Sequence, residues 1–92
     1  MTGGPTGTIT LVFADIEGST RLLNALGARF RSVRRRSREI VRDVAARHGG
    51  HEVDWAGDGV FLAFARARDA VVAAVDLQRA LSSEPWAPEE AI

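Results

Sequence analysis

Thr8-Ile9-Thr10-Leu11-Val12-Phe13-Ala14-Asp15-Ile16-Glu17-Gly18-Ser19-Thr20 carries a strand, a turn and a helix start in one short stretch. The run opens with β-favouring residues and becomes continuously apolar up to Ala14, the pattern of a strand buried on both faces. It stops at Asp15. Gly18 then permits a tight turn, and Ser19 or Thr20 can cap the helix that follows.

Downstream, the pattern predicts a helix over 20–26 with Gly27 as its stop. A second helix over 31–47 places Val33, Ile40, Val41, Val44, Ala45 and His48 on one face, and Gly49-Gly50 ends it as a left-handed cap. Two β-like runs, 51–55 and 60–64, flank Ala56-Gly57-Asp58-Gly59 and make a hairpin. A last amphipathic helix over 67–81 is expected to pack Ala70, Val71, Ala74, Val75, Gln78 and Leu81 on the sheet. The order βααββα predicts an α+β, ferredoxin-like sandwich with helices on one face. Phe13 and Trp55 are expected in its core, and Trp86 over the end of the last helix.

Composition narrows the function. The 92 residues hold 12 basic and 12 acidic side chains for a formal charge of +0, with 46% apolar and 26% charged residues, as in one globular domain. Residues 1–7 read as a lead segment and 83–92 as a linker. Charge balance argues against a nucleic-acid partner, and no apolar run is long enough to span a membrane. Arg34-Arg35-Arg36-Ser37-Arg38 lies near Glu39 and Asp43 and reads as a solvated helix face. There is no cysteine, which excludes disulfides and thiolate metal sites, and the expected compartment is the cytoplasm. Every basic residue is arginine, so lysine chemistry is excluded as well. His48, His51 and Asp54 lack a fourth ligand for zinc.

Asp15, at the end of a strand and before a helix N-terminus, sits where α/β proteins place anionic ligands. Asp58, at the hairpin tip between two glycines, is a second carboxylate at a strand end. Each residue alone also fits a plain role, helix cap or turn. Together they could hold divalent cations such as Mg2+ beside substrate phosphates.

The stretches 8–20, 48–53, 56–64 and 69–81, in that order, resemble the N-terminal half of a class III adenylate/guanylate cyclase catalytic domain. The resemblance implies a truncated nucleotide cyclase fold. It makes Asp15 and Asp58 ligands of two Mg2+ or Mn2+ ions and Ile16 a carbonyl ligand, with Glu17, Gly18, Ser19 and Thr20 around the phosphates of a nucleoside triphosphate. Asp54 falls at the base-selecting position, where adenylate-making members have lysine and guanylate-making members glutamate. The implied reaction converts ATP or GTP to a 3',5'-cyclic nucleotide and pyrophosphate.

The family's transition-state asparagine and arginine belong to the C-terminal half of the domain and act across a dimer. The only asparagine here is Asn24, in the first helix, so none of these residues is catalytic in that sense. A second cyclase-domain protomer, or the C-terminal half, is the implied partner, and the 92-residue chain is expected to be inactive alone. Two alternatives stand beside this one. A non-catalytic cyclase-homology interaction module would keep the fold without the chemistry. Haloacid dehalogenase-like phosphatases also end a first strand in an acidic glycine turn, but they use a lysine, and here Ser19 separates Gly18 from Thr20.

Overall fold

The computed structural model describes residues 7–86, so the start of the lead segment and most of the linker lie outside the described residues. The elements are β1 (Thr10–Ala14), α1 (Ser19–Leu26), a 3-10 turn (Gly27–Arg29), α2 (Phe30–Arg47), β2 (His51–Ala56), β3 (Gly59–Phe64) and α3 (Ala67–Ser83). The three strands form one antiparallel sheet in the order β1-β3-β2. This is the expected α+β sandwich. The most apolar strand, β3, takes the centre, and its Val60, Leu62 and Phe64 are 1%, 3% and 0% exposed.

The main core joins those three side chains to Ile40, Val44 of α2 and Leu77 of α3. A second cluster, Leu22, Leu26, Phe30 and Val33, locks α1 to the start of α2. Trp86 packs against both clusters and donates its indole N–H to the Leu81 carbonyl at 2.9 Å, covering the end of α3 as expected. At the other end of the sandwich the His48 ring Nε2 meets Asp76 Oδ2 at 2.6 Å, so this member of the predicted apolar face ties α2 to α3 through a polar contact.

Four local expectations need correction. First, β1 is buried on one face only: Leu11 and Phe13 are 56% and 55% exposed, because helices cover one side of the sheet and no described element covers the other. Second, Phe13 is therefore outside the core and stacks on Phe61 instead, ring centroids 4.7 Å apart on the open face. Third, neither Ser19 nor Thr20 caps α1. The N-cap is Gly18 in the left-handed region (φ +70°), and no side chain bonds the helix start. Fourth, α3 is rotated from the predicted face. Ala70, Ala73 and Leu77 are buried, whereas Val71 and Val75 lie exposed. An apolar run this dense offers two stripes at helical spacing, and the stripe containing Leu77 is the one that fills the space under β3.

The hairpin carries a bulge. Glu52 pairs with Leu62 and Asp54 with Phe61, leaving Val53 as the extra residue. Paired residues in an antiparallel ladder share a face. Trp55, opposite Val60, thus faces the helices, half-buried, while Asp54, opposite Phe61, points to the open face. No helix among the described residues is long and apolar enough to cross a membrane.

Candidate functional site

The register of β1 on β3 decides what meets at the sheet end. Ala14 stands opposite Val60, and the two strands run antiparallel, so the chain leaving β1 at Asp15 passes the chain entering β3 at Asp58-Gly59. Two residues separated in sequence by the whole of α1, α2 and β2 thereby come to one edge. Ala56 pairs with Gly59, which makes Gly57-Asp58 a two-residue turn. Gly57 has φ +62° and Asp58 a negative φ, the sign pattern of a II′ turn, whose first position glycine fills without steric cost.

Asp15, Ile16, Glu17 and Asp58 line one cleft of about 360 Å³, whose floor includes Val60 and Leu77. Asp58 also lines an adjoining cleft of about 240 Å³ with Ser19, Thr20, Arg31 and Arg34. Asp58 is therefore the wall between a cleft holding the acidic turn and a cleft holding hydroxyls and guanidinium groups. Gly18 and Asp54 line neither. Asp54 Oδ1 accepts a hydrogen bond from the Trp55 backbone N–H at 2.8 Å.

The two carboxylates differ in surroundings. Asp15 is exposed, and its Oδ1 accepts the backbone N–H of Ile16 at 2.8 Å, a local bond that holds the carboxylate against the turn. The Asp58 side chain is 17% exposed and has Arg34 Nη1 at 3.5 Å from Oδ1. Beneath the hairpin, Arg38 donates to the Gly57 carbonyl at 2.9 Å and lies 4.6 Å from the centroid of the Trp55 ring. The turn that presents Asp58 is thus clamped from α2 by a hydrogen bond and a cation–π contact.

Carboxylate oxygens such as those of Asp15 and Asp58 are hard donors of the kind that suits Mg2+ or Mn2+. Among the described residues no three His, Asp or Glu side chains converge into a closed cage. An ion suited to this pair is one that keeps waters and substrate phosphates in its sphere. The first turn of α1 bears no acidic residue and no side-chain cap. The Arg21 guanidinium folds back over the Gly18 turn, where a Cβ added to the glycine would come within 3.2 Å of its Nη2. Sequence reasoning missed Arg21, Arg31 and Arg34. The signal available was the placement of Arg31 and Arg34 one turn apart at the start of α2.

No family model matches the chain. An adenylate cyclase of Lachancea kluyveri is 34% identical over 86 residues, covering 94% of this chain and 5% of that protein. A receptor-type adenylate cyclase B of Leishmania donovani is 32% identical over 81 residues, covering 88% of this chain and 6% of that protein. Among solved structures, an adenylate cyclase from Trypanosoma brucei in its monomeric state matches with a TM-score of 0.82 at 31% identity, over 85% of this chain and 33% of that one. The chain spans about a twentieth of the length of the two curated relatives and about a third of the solved structure.

Proposed function

We propose, from a chain whose sequence and fold match part of a class III nucleotide cyclase catalytic domain, that its sheet end is the metal- and phosphate-binding part of a purine nucleoside triphosphate cyclase site. The observation that carries this reading is the Ala14–Val60 register, which brings Asp15 and Asp58 to one cleft. By position in the family pattern, Asp15 and Asp58 are the ligands of two Mg2+ or Mn2+ ions, Ile16 lends its carbonyl, and the turn from Glu17 to Thr20 surrounds the phosphates. Metal ions held by these residues would supply Lewis-acid chemistry, activation of a ribose hydroxyl and charge neutralisation of the leaving pyrophosphate.

The chain's own part is to orient. Asp15 is steadied by its bond from the Ile16 N–H, and Asp58 is held at the tip of a turn that Arg38 clamps. The uncapped amides of α1 offer donors to phosphate oxygens, with Ser19 and Thr20 adding hydroxyls in the adjoining cleft. The product is a 3',5'-cyclic nucleotide. Whether the purine is adenine or guanine is assigned to Asp54, whose place on the open face suits a role toward a second protomer. Asn24 lies in α1 and lines neither cleft, so transition-state groups come from a partner protomer or from residues outside these 92. The 92-residue polypeptide alone forms no cyclic nucleotide.

The test is thermal. Mn2+ with ATP or GTP raises the melting temperature, by about 4–8 °C for each kcal/mol by which the bound ligand stabilises a folded domain of this size. Asp15→Ala and Asp58→Ala each abolish the rise. An undiminished rise in both variants removes the metal assignment.

A further inference from the structure

Among the described residues the one side-chain partner of Asp58 is a cation, and that cation faces the neighbouring cleft. Arg34 Nη1 stands 3.5 Å from Asp58 Oδ1, with the two side chains 41% and 17% exposed. Arg34 shares its cleft with Ser19, Thr20 and Arg31. We propose that Arg34 occupies Asp58 in the cation-free chain and exchanges it for phosphate when a metal–triphosphate complex binds. The inference rests on the reading of Asp58 as a metal ligand and adds a role for an arginine that the family pattern does not supply.

Geometry makes the exchange cheap. A strong charge-assisted bond is about 2.7–2.9 Å long and often bidentate, whereas this one is single-pronged and stretched. The Arg34 backbone is fixed in α2, so only the side chain needs to move. Electrostatics makes the exchange directional. A carboxylate this shielded is stabilised by a positive neighbour, but a divalent ion on Asp58 would sit within a few ångströms of the guanidinium and repel it. The phosphates that arrive with the ion are the nearest anions, and the cleft in which Arg34 already stands contains the hydroxyls of Ser19 and Thr20. Arg38 cannot take this part, because it is committed to the Gly57 carbonyl and the Trp55 ring.

The experiment titrates the chain with Mn2+ alone and with Mn2+ plus inorganic tripolyphosphate, reading free Mn2+ by electron paramagnetic resonance, for the parent, Arg34→Gln and Asp58→Ala. Loss of a competing surface cation tightens Mn2+ alone by about twofold to fivefold in Arg34→Gln. Loss of a charge-assisted bond to phosphate weakens the tripolyphosphate complex by about tenfold. Opposite signs are the signature, since a damaged fold would weaken both titrations. Equal or same-direction changes, with Mn2+ binding still lost in Asp58→Ala, overturn the exchange alone. Undiminished Mn2+ binding in Asp58→Ala overturns the metal reading and the exchange with it.

Discussion

A Cβ added to Gly50 would stand 2.7 Å from both Cε2 and Cζ of Phe64, the side chain that is 0% exposed at the centre of the core. Gly50 leaves the end of α2 and donates its N–H to the Ala45 carbonyl at 2.8 Å, so the chain turns into β2 directly over the ring. The ring has no room to retreat, and the Ala45 carbonyl lies 3.2 Å from the same point. Gly50→Ala is therefore expected to cost about 1–3 kcal/mol through overpacking. Gly59 offers a control. Its added Cβ would meet the Phe13 ring at 2.8 Å, but that ring is 55% exposed on the open face and can swing away, losing its stacking on Phe61. Gly59→Ala should cost about 1 kcal/mol or less. Denaturant midpoints of the two variants rank them, and equal costs would contradict the difference in burial.

The one-sided sheet makes a second prediction. Leu11 in β1 and Leu62 in β3 are both apolar strand residues, yet one is 56% exposed and the other 3%. Leu62→Ala removes core contacts and should lose about 2–5 kcal/mol, whereas Leu11→Ala should stay within about 0.5 kcal/mol. Urea unfolding of the two variants measures this. A comparable loss at Leu11 would mean that the open face is covered in solution.

The contrast also marks what the sequence could tell. Element order and the Gly57-Asp58 turn were legible, because glycines and aspartates at element ends carry local conformational signals, whereas the meeting of Asp15 and Asp58 at one edge depends on the register of β1 on β3 and was only suggested by the family resemblance. Which face of an element is buried was less so. Thr10 to Ala14 is apolar enough to be read as buried on both sides, and the stripe through Val71 and Val75 competes with the one through Leu77. Those choices depend on how many layers pack on the sheet, which is a non-local fact. The Arg34–Asp58 contact was invisible for the same reason. Its partners are 24 positions apart, and nothing in a run of arginines says which one reaches the hairpin.

The ion pairs that fasten α2 to β2 and to the end of α3 give a pH dependence with a definite sign. Arg42 holds Glu52 through Nε at 3.0 Å and Nη2 at 3.2 Å, and this hydrogen bonding depresses the Glu52 carboxyl below its usual 4.5. Glu84 is depressed in the same way by Arg36, at 2.8 and 3.0 Å. A carboxyl with a lower pKa in the folded state binds fewer protons there than when unfolded. Its contribution is therefore complete above about 4.5, the unfolded value, and disappears as the pH falls through the folded one. The double variant Glu52→Gln and Glu84→Gln should be less stable than the parent at pH 7 and converge with it in acid, giving a shallower acid limb. Because these are surface pairs, the gap at pH 7 should narrow in 1 M salt. Urea midpoints across pH 3–7 measure both effects, and a variant that tracks the parent in parallel down to pH 3 would show that the two pairs add nothing to the fold.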